Sequence, residues 1–227
     1  MKTVFFFFLM AVAILPKLVE CNELSDAQKQ GLQLMREEEK LAHDVYLVLY
    51  EKWELQVFRN ISNSESRHFD AVGYLLETYD VKDIAFSEPG KFQNQDIAAL
   101  YETLVTKGAK SLQDALEVGA YIEEVDIKDL QEQLDLNPDE TIAAVFGNLL
   151  RASGNHLRAF TGQLSSRYGE YTPVVLSSDV YATIVNSQFE CGNRGNCVVP
   201  QGNCNNQQVN KPKRMRNRGN RNRCSNN

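Results

Sequence analysis

Two apolar stripes with the period of a helix are each broken by ionisable side chains, and this constrains the chain more than any other feature. In the series Phe58, Ile61, Glu65, His68, Val72, Leu75, Tyr79 the steps are three or four residues, which is the spacing of one buried helix face. Glu65 and His68 stand at i and i+3, so their heads lie one turn apart and point the same way. A second stripe, Ile142, Val145, Leu149, Ala152, His156, Phe160, Leu164, has His156 as its only strongly polar member. Helices packed through these faces bury an acid and two imidazoles, and groups of that kind are not left without partners. A metal ion would satisfy all three at once.

The rest of the body, roughly 23–190, also reads as helix, and no strand pattern competes. Ser25 with Gln28 forms a capping box for a first helix, whose stripe is Leu32, Met35, Glu39, Ala42, Tyr46, Leu49, Trp53. A turn near Glu54 leads to a second helix at about 55–79. Ser62 with Glu65 also makes a capping box, which would place Glu65 in a first turn; Phe58 and Ile61 keep the period upstream and argue against it. The stretch Asp80 to Asn94 contains Pro89-Gly90 and reads as a loop. A short helix is expected from Gln95 to Lys107, ended by Gly108. A third long helix, capped by Ser111, covers Leu112 to Leu134. Asn137-Pro138-Asp139-Glu140 signals the start of a fourth, with Asn137 as cap, running to about Tyr168. A short packing segment is expected around Val180 to Val185. The expectation is an all-α, four-helix bundle with a short extra helix in its crossover.

Helix arithmetic indicates which acids meet the histidines. Around a turn at 54, Glu39 and His68 are nearly level. Around a turn near 136, Glu117 and His156 are level too. Glu123 and Glu124 are the alternatives to Glu117, and Glu123 lies nearer the centre of its stripe; Glu37 and Glu38 are the alternatives to Glu39. A seven-residue error would move a ligand by about 10 Å, which favours Glu117. The third histidine, His43, lies off the stripe and is expected at the surface. Carboxylates and imidazoles from facing helices are a ligand set for iron or manganese.

The ends of the chain have a different composition. Lys2 followed by the apolar run Val4 to Leu15 has the form of a secretory signal, with cleavage expected after Cys21. Cys191, Cys197, Cys204 and Cys224 then form an even set suited to disulfides, in pairings that sequence leaves open. From Cys191 onward there are eight Lys or Arg and no acid, while residues 1–190 carry a formal charge of −14. This organisation reads as a signal peptide (1–21), a helical domain (22–190) and a basic Asn/Gly/Arg-rich tail (191–227). A basic tail outside the cell suits an anionic matrix, polysaccharide or mineral surface. Without interleaved aromatics it does not suggest nucleic acid, and no transmembrane anchor is expected.

Several motifs make the chain resemble a known family. They are Glu37-Glu38-Glu39-Lys40-Leu41-Ala42-His43-Asp44-Val45-Tyr46, Asn60-Ile61-Ser62-Asn63-Ser64-Glu65-Ser66-Arg67-His68, Asp114-Ala115-Leu116-Glu117-Val118-Gly119, Ile122-Glu123-Glu124-Val125-Asp126-Ile127 and Asn155-His156-Leu157-Arg158-Ala159-Phe160. In this order they resemble the domain of unknown function numbered 2202, an uncharacterised, rubrerythrin-related family of the ferritin-like superfamily. The resemblance implies a ferritin-like bundle with Glu39, Glu65, His68, Glu117 and His156 as metal ligands and Tyr46 beside them. It also implies two iron ions, with manganese as the alternative, and ferroxidase or peroxide-reducing chemistry. Ser153 departs from the diiron pattern, which would place a Glu three residues before His156. Glu124, water or a shifted carboxylate would then complete the set, or one metal would be held. The other expectation is a non-enzymatic extracellular scaffold attached by its tail.

Overall fold

The computed structural model describes residues 23–136 and 138–187. The expected signal segment and the basic tail with its four cysteines lie outside the described residues. Six helices are formed: α1 (Asp26–Trp53), α2 (Gln56–Thr78), α3 (Gln95–Gly108), α4 (Leu112–Asp135), α5 (Glu140–Arg167) and α6 (Ser178–Asn186). Among the described residues there is no strand, so the all-α expectation holds.

Local chemistry explains where these helices begin and end. Ser25 accepts from the Gln28 backbone N–H and the Gln28 side chain reaches back, completing the capping box. Ser111 caps α4 by accepting from the Asp114 N–H. α5 starts later than its sequence signal. Its cap is Asp139, which takes the N–H groups of Thr141 and Ile142, so Pro138 precedes the cap instead of following it. The reading of Ser62 as a cap also fails. α2 begins at Gln56, and the Ser62 hydroxyl bonds back to the Arg59 carbonyl, so Glu65 stands in mid-helix. Glu54, at φ 52°, ends α1 in the left-handed region and lets the chain reverse within two residues.

Two short turns make α1–α2 and α4–α5 hairpins, and α1 also packs on α4 while α2 packs on α5. The four long helices thus enclose one interior. α3 lies against α1 and α4, and α6 against α5. The interior has two apolar parts. One holds Tyr46, Phe58, Leu116 and Phe160; the other holds Met35, Leu75, Leu130 and Phe146. Between them in sequence, on all four helices, lie the buried polar residues Glu39, Glu65, Glu123, Ser153 and His156.

The loop from α2 to α3 is held by a polar row on α1. Gln33 donates to the Lys82 carbonyl, Arg36 pairs with Asp83, and Lys40 donates to the Glu88 carbonyl. Asp44 accepts from the Gly90 N–H, and Glu37 takes the N–H groups of Gln93 and Asn94. These partners explain why Glu37, Lys40 and Asp44 are buried without belonging to the core face.

An aromatic layer closes one side of the polar level. The Phe160 ring centroid lies 5.2 Å from that of Tyr46 and 5.6 Å from that of Phe58. A Cβ on Gly119 would come within 2.5 Å of the Phe160 ring, and that ring is already flanked. Gly119→Ala is therefore expected to destabilise the fold by about 1–3 kcal/mol through overpacking. A denaturation midpoint equal to that of the unsubstituted chain would refute this.

Candidate metal centre

Four helices each send ionisable groups to one level of the interior. Glu39 comes from α1, Glu65 and His68 from α2, Glu123 from α4 and His156 from α5. Glu39, Glu65 and Glu123 are fully buried, and His156 is nearly so. Donor atoms form two sets that share one residue: Glu39, Glu65 and His68, and Glu65, Glu123 and His156, each within 4.8 Å of one another.

Glu65 lies between the two histidines. Its Oε2 is 2.6 Å from His68 Nδ1, and its Oε1 is 2.8 Å from His156 Nδ1. Glu39 Oε2 approaches His68 Nδ1 at 3.3 Å, and Glu123 Oε2 approaches His156 Nδ1 at 3.4 Å. The two imidazoles stack with centroids 5.7 Å apart. Close approach does not make every contact a hydrogen bond. Both oxygens of Glu39, Glu65 Oε1, Glu123 Oε2 and His156 Nδ1 lack an aligned partner. Buried polar atoms are nearly always paired. Atoms that crowd together without pointing at each other's protons are arranged as ligands around shared points would be.

Neighbouring groups orient this set. The Tyr46 hydroxyl donates to Glu123 Oε1 at 2.6 Å, leaving Oε2 for His156. Ser64 Oγ lies 3.4 Å from His68 Nε2, the ring nitrogen facing away from the acids. Ser153 contributes nothing to the cluster, because its hydroxyl bonds to the Leu149 carbonyl of its own helix.

The electrostatics are strongly polarised. Burial raises Glu39 to about 7, although His68 pulls the other way. Burial acts on Glu65 too, but His156 and His68 outweigh it and hold this carboxyl well below the usual range. His156 rises to about 9 because Glu65 and Glu123 overcome its burial, and His68 is likewise raised by Glu65 and Glu39. Burial also raises Glu123, with His156 opposing it. Glu65 is thus the anionic centre of a cluster whose imidazoles hold protons that a cation would displace.

The structure brings together Glu39, Glu65, His68 and His156, but not Glu117. Glu117 pairs with Lys107 at 3.2 Å and accepts from Gln113. It lines a separate cleft of about 530 Å³ with Leu100, Tyr121 and Tyr171. Glu123 takes the place expected for it. Glu124 also faces elsewhere, accepting from the Tyr171 hydroxyl and from the N–H groups of Val174, Val175 and Leu176. His43 is half-buried and contacts Asp44.

Residues 28–188 match the family described as an uncharacterized protein domain, DUF2202. The chain belongs to that family. It is 46% identical over 182 residues to the uncharacterized protein MJ0754 of Methanocaldococcus jannaschii, spanning 80% of this chain and 96% of that protein. The crystal structure of the hypothetical protein MJ0754 from Methanococcus jannaschii is similar at a TM-score of 0.72. It is 47% identical, and the match covers 78% of this chain and 99% of that one.

All five cluster residues fall inside the DUF2202 region. So does the loop anchored by Glu124, which nothing in the helical pattern signals. Glu124→Gln would turn an amide N–H₂ toward donors, and a loss of about 2 kcal/mol or more is expected. Limited proteolysis within 171–177 would report the freed loop; unchanged resistance there would show that Glu124 does not hold it.

Proposed function

We propose that this DUF2202 chain is a secreted, ferritin-like metal-binding protein whose four-helix bundle holds two iron ions. The observation that carries the reading is Glu65, whose two oxygens address His68 and His156 separately within two donor sets. Glu39 and His68 would hold one ion, Glu123 and His156 the other, and Glu65 would bridge them. The unaligned buried donors fit such a pair, and oxygen with imidazole nitrogen is a donor set that iron and manganese both accept. Bound there, iron would supply redox chemistry toward oxygen or peroxide, which makes ferroxidase or peroxide reduction the favoured reaction class.

The chain's own residues have distinct parts in this. Were iron bound, His68 and His156 would give up their protons, and Glu39 and Glu123 would balance the charge. Tyr46 fixes Glu123 through its hydroxyl, and the Tyr46, Phe58 and Phe160 layer keeps water from that side. Secretion rests on the apolar run at residues 4–15 and the late cysteines, and attachment to an anionic matrix rests on the basic tail. Among the described residues no helix is long and apolar enough to cross a membrane.

A second reading, a non-enzymatic scaffold, is favoured by Ser153, which turns its hydroxyl to its own helix where a diiron protein would offer a carboxylate. Elemental analysis after anaerobic Fe(II) loading and desalting separates the two. About two irons per chain are expected. One would indicate a half-site, and none with intact helices would leave the scaffold. Deleting 191–227 is expected to remove polyanion binding while leaving metal binding intact.

A further inference from the structure

Three more acids continue from the cluster along the α1–α4 contact. Asp126 and Asp129 follow Glu123 on α4 at successive steps of three, so the three carboxylates rise by about 4.5 Å per step while turning about 60° around the helix, from its interior face toward the surface. Exposure rises with them. Glu123 is 0% exposed, Asp126 is 2% exposed, and the Asp129 side chain is 19% exposed. Glu38 of α1, also buried, meets Asp129 of this row. The acids acting on Asp126, in order of strength, are Glu39, Glu123, Glu38 and Glu65. The strongest acting on Glu38 are Asp129 and then Glu39. Asp126 and Glu38 thus lie near the acids of the cluster, and Glu38 also meets the partly exposed Asp129.

These acids differ from an ordinary acidic surface patch. Asp126 Oδ2 and Glu38 Oε2 are buried and lack any hydrogen-bond partner. Other buried acids of the fold have theirs: Asp44 takes Lys40 and Gly90, Glu37 takes two backbone N–H groups, and Glu124 takes four donors. Carboxyl oxygens buried without donors are costly unless a proton or a visiting cation neutralises them. Lys128, exposed at the outer end of the row, pairs with Asp129 and Glu132.

We propose that Asp129, Glu38 and Asp126 form the route by which a divalent cation passes between solvent and the buried centre. This rests on the metal-binding reading and specifies how that centre is filled. Each acid gives the ion a temporary oxygen ligand as it loses water, and none holds it at the end. A graded acidic path also raises the local cation concentration at its mouth, so loading is expected to slow as ionic strength rises.

The test is stopped-flow loading of the chain with Co(II), followed through its visible absorption, with final stoichiometry measured separately. Asp126→Asn is expected to slow loading by about tenfold or more, and the more exposed Asp129→Asn by about threefold, at unchanged stoichiometry. Glu102→Gln, an exposed α3 acid away from the row, is expected to load at the rate of the unsubstituted chain. Asp126→Asn keeps the shape of a carboxyl whose charged form burial and its acidic neighbours already disfavour, so its thermal midpoint should not fall. Unchanged rates in both row variants would overturn the route while leaving the centre intact, and the row would then hold protons only. A lower final stoichiometry in Asp126→Asn would overturn it differently, by making Asp126 a ligand. Failure of the unsubstituted chain to load would overturn the metal centre itself.

Discussion

Glu65→Ala is expected to leave the chain with no retained metal at all, whereas Glu39→Ala or Glu123→Ala should each cost about one ion. The asymmetry follows from geometry, since Glu65 is the only residue in both donor sets. Its removal also leaves His68 and His156 without the anion that both approach within 3 Å. Losing even a residue that merely orients a ligand costs about 10–100-fold in metal affinity, so loss of a bridging carboxylate should exceed about 100-fold at each position. Glu117→Ala is the matched control. Its carboxylate faces Lys107 and the 530 Å³ cleft, so full stoichiometry is expected. Elemental analysis of the four variants decides the point. Two retained ions in Glu65→Ala would refute the bridge, and loss of metal in Glu117→Ala would refute the placement of Glu123.

The metal-free and metal-loaded chains are expected to respond to pH in opposite directions between about pH 5 and 9. His156 is held at about 9 against an ordinary value of 6.5. Its contribution to folding is therefore complete below about 6.5 and is lost as pH rises through 9. His68 is raised too and acts with the same sign. Glu39, held at about 7, favours its protonated form in the fold, so its contribution also fades as pH climbs from about 4.5 through 7. Glu38, Glu123 and Asp126 are raised in the same sense. Glu65 is lowered, so its contribution is lost only on acidification, below this window.

For His156 alone the change corresponds to about 3 kcal/mol. At this chain length that is a fall of roughly 6–12 °C in melting temperature. Metal reverses the sign because its binding displaces protons and strengthens as pH rises. Melting curves of the EDTA-treated and Mn(II)-loaded chain from pH 5.5 to 8.5 would show the two trends diverging. A metal-free melting temperature that climbs with pH would contradict the protonated histidines.

The sequence pattern located the helices to within a few residues, because caps and periodicity are local. Ser25, Asn94 and Ser111 each satisfy backbone N–H groups of their own first turn, and no distant residue is needed for that. Asp139 caps α5 in the same local way, and it also receives the Tyr79 hydroxyl from just beyond the end of α2. That second contact is tertiary and has no trace in the helical period.

The acid of α4 was misplaced because height was weighed above rotation. Glu117 is nearly level with His156 by residue count, but it lies about 120° around the helix from Glu123. A height error of a few residues is absorbed by helix tilt and a long side chain. An error of a third of a turn points the carboxylate at solvent or at Lys107. The stripe of Leu116, Ala120, Glu123, Ile127 and Leu130 held the better signal.

What the sequence by itself determined is an all-helical chain with polar groups buried at one level, since a broken apolar stripe admits no other placement for Glu65, His68 and His156. Tertiary structure alone decided how three consecutive buried glutamates diverge. Glu37 anchors the loop before α3, Glu38 faces Asp129, and Glu39 joins the histidines. Successive helix positions differ by about 100°, so each addresses a different neighbour. Only the packing of α1 against α2, α4 and the loop determines which neighbour is there.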